Sequence, residues 1–186
     1  MITQFSESVS EVIGFSKEEA NRLQSPYIEP EHLLLGLLRY NSGVAIQILI
    51  KMNVDLQALK VQLEKHLILN SDPLQQPDTD LQLSASSSRI IKLSILEACL
   101  SQERIANTEH ILLAILKDNT NMAAQILNMN HVSYEKVLSL LPPRTNIQAS
   151  SSIEKANDDE DDDEMDEDSS INTMPYQDNE NEDDIE

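Results

Sequence analysis

The segment EHLLLGLLR at 31–39 is written again as EHILLAILK at 109–117, and a shift of 78 residues aligns far more than these leucines. Between 31–49 and 109–127, ten of nineteen positions are identical without a gap. They include Glu31 with Glu109, His32 with His110, Leu34 and Leu35 with Leu112 and Leu113, and Gln47-Ile48-Leu49 with Gln125-Ile126-Leu127. The same register runs backwards through Ser16 with Ser94 and Glu19-Ala20 with Glu97-Ala98. A unit duplicated in this way carries its apolar segment twice, and packing one copy on the other supplies cover for both.

Each copy reads as four helices. In the first, Phe5, Val9, Val12, Ile13, Ala20 and Leu23 recur near the helical period, with Lys17, Glu18 and Arg22 on the wet side. The second is the quoted segment, apolar nearly all round and therefore central; Gly36 and Ala114 hold equivalent places in it, where a small side chain admits a neighbouring helix. A short third helix follows, GVAIQILIKMN or NMAAQILNMN, and a fourth starts on the N-cap types Asp55 and Ser133. The expected fold is all-α: two four-helix repeats, about eight helices, related by a pseudo-twofold axis. Repeat one covers 3–68 and repeat two 81–141, together a domain over 1–141, with a Pro-containing connector at 69–86.

The net charge of −20 belongs mainly to the other end. Residues 1–141 carry 16 Asp/Glu against 11 Lys/Arg, and residues 142–186 carry 17 against 2. Pro142 and Pro143 break the last helix and lead into DDEDDDEMDED at 158–168, which is too polar to fold on its own. A disordered acidic tail over 142–186 is expected, acting as an extended tether or contacting basic surfaces.

Several function classes are disfavoured. The negative charge argues against nucleic acid. No segment reaches the roughly 20 apolar residues of a membrane helix, and no leader pattern opens the chain, so a cytoplasmic location is expected. Cys99, the single cysteine, reads as a small core residue. There is no H-E-x-x-H, G-x-S-x-G or G-x-x-x-x-G-K-[ST] motif, and the histidines lack further metal ligands at suitable spacing. The expectation is a non-catalytic chain without cofactor or metal.

The Glu-His openings carry the remaining signal. Thr108 reads as an N-cap, which places Glu109 and His110 in the first helical turn beside free backbone N–H groups; Pro30 stands at the equivalent place in the first copy. The two glutamates either complement the helix dipole or offer a carboxylate to a guanidinium while the amides accept a phosphate. The histidines read as structural.

The paired EH(L/I)LL(G/A)(L/I)L(R/K) segments, SKEEANRL before the first and AAQILN followed by VSYEKV after the second resemble the repeated N-terminal domain of Clp unfoldases, most closely the ClpC group. The resemblance covers about residues 3–141. It implies a substrate- and adaptor-binding domain that precedes AAA+ ATPase modules in protein quality control and regulated proteolysis, with a ClpP-type protease downstream. Unfolded or tagged proteins and adaptors are the implied partners, and the isolated domain is expected to be a monomer. The resemblance further implies phosphoarginine recognition at one site per repeat, Ser6 with Glu31 and Ser84 with Glu109, each pair 25 residues apart. Serine stands where the family pattern has threonine, and Pro30 departs from it in the first copy. The alternative is a free-standing two-repeat regulator that recruits protein partners.

Overall fold

The computed structural model describes residues 4–70 and 81–142, which belong to one compact unit. Its first repeat holds α1 (Glu7–Arg22), α2 (Pro30–Tyr40), α3 (Gly43–Lys51) and α4 (Leu56–Asn70). The second holds α5 (Ala85–Leu100), α6 (Thr108–Lys117), α7 (Met122–Met129) and α8 (Tyr134–Leu140). Adding 78 to the bounds of α1 gives those of α5, so the duplication read from the sequence is a duplication of structure. The expected disordered tail lies outside the described residues, apart from Pro142.

The two leucine-rich helices are central. Leu33, Leu34, Leu35 and Leu37 of α2, and Ile111, Leu112, Leu113 and Ile115 of α6, are all buried, each stabilising the fold by roughly 1.5–3 kcal/mol. The pair Pro30–Tyr40 and Gly43–Lys51 is apolar but bends by 88°, and no single described helix is long and apolar enough to cross a membrane. Cys99 departs from expectation. It is exposed, because the inward stripe of α5 runs through Ile90, Ser94, Glu97 and Ala98 and turns position 99 to solvent.

Helix α1 lies antiparallel on α2, and Gly36 sets how closely. A Cβ at Gly36 would stand 2.5 Å from the Val12 carbonyl oxygen and 2.3 Å from Ser16 Oγ, which itself donates to that carbonyl at 2.7 Å. Beside this contact a buried glutamate is fixed in each repeat. Glu19 accepts from Arg22 and Arg39, and Glu97 from Lys117 and the Tyr134 hydroxyl. Burial opposes ionisation of Glu19, but the hydrogen bonds and charge of Arg22 and Arg39 outweigh it and hold the carboxyl below its usual range.

The histidines of the repeated Glu-His pairs serve as helix caps. The N-caps are Glu29 and Asn107, one residue earlier than read from the sequence, which puts each histidine at the third helical position. From there Nδ1 of His32 accepts from the Glu29 backbone N–H, and Nδ1 of His110 from that of Asn107, both at 2.9 Å. This is the reciprocal half of a capping box, with imidazole where Glu or Gln is usual. Accepting at Nδ1 places the proton on Nε2, and His32 donates it to Ser25 Oγ at 3.1 Å. Burial lowers the pKa of His32 to about 4, with Arg22 pushing the same way and Glu19 opposing.

Two expectations follow from these contacts. Gly36→Ala gains about 1 kcal/mol of helix propensity but overpacks a backbone contact costing about 1–3 kcal/mol, so the urea midpoint should fall with an unchanged m-value. For His32, the unfolded chain takes up a proton near 6.5 and the folded protein only near 4, so stability is full above 6.5 and is lost as the pH falls through that window. The loss is on the order of 3 kcal/mol. His32→Gln, which keeps a capping side chain, should flatten the stability profile between those pH values.

Candidate functional site

Four two-residue strands decide which helix ends meet. β1 (Gln4–Phe5) pairs in parallel with β4 (Ile105–Ala106), and β2 (Tyr27–Ile28) with β3 (Gln82–Leu83). Each pair crosses between repeats. Past the strands, the Ser6 N–H donates to the Ala106 carbonyl and the Ser84 N–H to the Ile28 carbonyl, both at 3.1 Å. The start of α1 therefore lies beside the start of α6, and the start of α5 beside that of α2. Ser6 faces the Glu109 end and Ser84 the Glu31 end, so the within-repeat pairing of Ser6 with Glu31 and Ser84 with Glu109 is exchanged in space. Antiparallel packing explains why: α1 and α2 run in opposite directions, with Tyr40 Oη donating to Ser8 Oγ at 2.9 Å, which leaves Ser6 and Glu31 at opposite ends of the helix pair.

Both serines are N-caps. Ser6 Oγ accepts from the Val9 N–H at 3.3 Å and Ser84 Oγ from the Ser87 N–H at 3.2 Å. Near the first of them the N-termini of α1, α3 and α6 converge on a hollow of about 250 Å³ lined by Ser8, Gly43, Val44, Asn107, Thr108 and Glu109. Glu109 is 6% exposed. Its Oε2 receives the Thr108 hydroxyl at 3.3 Å, while its Oε1 lies 4.0 Å from His110 Nδ1, an atom already occupied as an acceptor. Among the described residues no lysine or arginine pairs with Glu109. A buried carboxylate beside several outward-pointing amides can take a guanidinium on one side and an anion on the other.

Thr108 has a role the sequence reading missed. It is the first residue of α6, and its Oγ1 accepts from the Ala45 N–H at 3.3 Å, capping α3 of the other repeat. Gly43 makes room, since its φ is +84° and a Cβ there would stand 2.6 Å from that oxygen. At the opposite mouth Pro30 replaces Thr108 and Asn121 replaces Gly43, and Asn121 caps its own helix by accepting from Ala124 N–H at 2.7 Å. Two solutions to one capping problem thus make the mouths chemically different.

The second mouth holds Glu31, also 6% exposed. Burial raises its pKa, against the opposing pull of its own backbone N–H and of His66. Nδ1 of His66, on α4, lies 3.7 Å from Glu31 Oε1. A cluster of metal-ligand types that the sequence analysis did not single out, with Glu103 six residues before the Glu109-His110 pair, lies by the first mouth. Glu103, Glu109 and His110 each bring one ligand atom within 4.8 Å of the others. The fit is poor. With His110 Nδ1 accepting from Asn107, its Nε2 carries the proton and faces Glu103 at 3.9 Å, so ligation there would need that cap to be broken.

A family model of the Clp repeat N-terminal domain matches residues 4–130. A probable ATP-dependent Clp protease ATP-binding subunit of Chlamydia pneumoniae is 31% identical over 137 residues, 74% of this chain and 16% of the relative. The chaperone protein ClpB of Oceanobacillus iheyensis is 32% identical over 145 residues, 76% of this chain and 17% of that one. Chloroplastic ClpC2 of Arabidopsis thaliana is 30% identical over 127 residues, 68% of this chain and 13% of its own. The chain thus spans no more than 17% of these relatives. Among solved structures, the N-terminal domain of the ClpV1 ATPase from E. coli superposes with a TM-score of 0.63 at 20% identity, covering 75% of this chain and 84% of that one. The N-terminal domain of ClpD from Arabidopsis thaliana gives 0.59 at 20%, covering 75% and 96%. The chain belongs to the Clp repeat N-terminal domain family.

Proposed function

We propose that this domain receives protein substrates or adaptors for a Clp-type AAA+ unfoldase, acts in the cytoplasm, and is a binding module with no catalysis of its own. The observation that carries the reading is Glu109, a carboxylate 94% out of solvent without a lysine or arginine partner among the described residues, on a hollow where three helix N-termini meet. Phosphorylated arginine fits that chemistry. Its guanidinium would pair with Glu109, and its phosphoryl oxygens would take the amides opening α1 and α6, with Ser6 at their edge. The duplication makes Glu31 with Ser84 the second candidate, equally buried at the same place in its helix but with His66 3.7 Å from its carboxylate. Where both mouths are engaged, two modest sites on one domain raise avidity for a client tagged at several positions.

Titration calorimetry of the chain with a phosphoarginine peptide and its unmodified arginine twin tests the reading. Binding selective for the phosphorylated peptide is expected, falling at least about 30-fold in Glu109→Gln, because truncating one side of a buried charge pair costs about 2–5 kcal/mol. Equal binding of both peptides, or full binding by a folded Glu109→Gln, would overturn it.

A further inference from the structure

The two mouths are related by the duplication, yet they differ in what reaches the carboxylate. Position 31 and position 109 are equally buried and sit at the same place in their helices. At Glu109 the neighbours within reach are the Thr108 hydroxyl, the capping His110, whose Nδ1 is committed to the Asn107 N–H, and a second carboxylate, the half-exposed Glu103. Glu103, like Glu109, would favour a cation, and none of these neighbours is a cationic side chain from another helix. At Glu31 a side chain from a third helix arrives. His66 sits on the last turns of α4, itself 70% buried, with Nδ1 3.7 Å from the Glu31 carboxylate. The fourth helices explain the difference. α4 runs to Asn70, whereas α8 ends at Leu140; shifting His66 by 78 gives 144, beyond the end of α8 and outside the described residues.

A protonated imidazole sets a planar cation against a carboxylate, as one edge of a guanidinium does, and at 3.7 Å the contact between His66 and Glu31 is one of charge and proximity rather than a hydrogen bond. We propose that the two mouths are unequal: His66 occupies the Glu31 carboxylate from within the chain, so the Glu109 mouth is the one open to a cationic ligand, and removing His66 opens the other. This rests on the reading under Proposed function for the ligand, but the occupancy of Glu31 by His66 can be measured without any ligand. His66 is the favourable charge acting on Glu31, and Glu29, at the N-cap of α2, is the opposing one. A domain with one open and one plugged mouth would bind singly tagged clients at the first and engage the second only where a competing cation displaces the histidine.

Two measurements on the full chain decide it. Carboxyl NMR titration without ligand should show Glu31 moving to higher pH in His66→Ala and in His66→Asn, since both remove the imidazole that favours its charged form. An unchanged Glu31 titration in both folded variants overturns the proposal. Calorimetry with the phosphoarginine peptide should give one site per chain for the wild type and two for His66→Ala, the added site disappearing in His66→Ala/Glu31→Gln. Two equivalent sites in the wild type, or a single site in both folded His66 variants, overturns this proposal while leaving the tag-reading function intact. No binding by any form overturns the tag-reading function, and with it the count of sites, whereas the Glu31 titration alone still separates a plugged carboxylate from an unoccupied one.

Discussion

The exchange of two-residue strands between repeats is the constraint on which the rest of this structure depends. β1 reaches from the first repeat to β4 of the second, and β3 reaches back to β2. Each pair contributes little hydrogen-bond energy on its own, about 1 kcal/mol per bond. What it fixes is position: it sets two helix starts side by side and so creates a mouth to which both repeats contribute. The central helices α2 and α6 then find cover from the opposite repeat as well as their own, and the hydrophobic cluster runs through both halves.

Duplication followed by divergence is visible at single positions. Thr108 with Gly43 and Pro30 with Asn121 are alternative ways to cap the third helix, and neither member of one pair would serve with a member of the other. A side chain at Gly43 would collide with Thr108, and proline has no hydroxyl to offer. Ser25 and Glu103, again 78 apart, both face the Nε2 of the capping histidine, one as a neutral acceptor at 3.1 Å and the other as a carboxylate at 3.9 Å. His32 is accordingly enclosed and held neutral, whereas His110 has an acidic neighbour open to solvent. These differences gather at the mouths, while the packing of α1 on α2 and of α5 on α6 keeps its buried glutamates and serines in common.

Much of the fold was legible because its signals are periodic or repeated. The helical stripe from Val9 to Ala20, the two leucine-rich cores and the small residue at Gly36 each announce their burial through spacing and size alone. Asp55 and Ser133 cap α4 and α8 as their residue types suggest. The cross-pairing of Ser6 with Glu109 was not legible, since a strand of two residues leaves no alternation to detect, and a gap of 25 residues within a repeat suggests a local pair that antiparallel packing forbids. Reading Thr108 as the cap places the helix start one residue late, since asparagine is the stronger N-cap type and the histidine three positions on is the capping-box signal for Asn107. Residue type alone reads Cys99 as a core residue, whereas its phase on α5 points it outward.

Whether the repeats depend on each other is tested most directly by separating them. Fragments 1–75 and 76–186 can be prepared apart, followed by far-ultraviolet circular dichroism, and then mixed. An interlocked pair predicts that neither fragment melts cooperatively alone, because each exposes the face its partner covers, and that mixing restores a helical, cooperatively melting one-to-one complex. Cooperative melting of each half by itself, unchanged on mixing, would contradict the account and reduce the composite mouths to a chance meeting of two independent units.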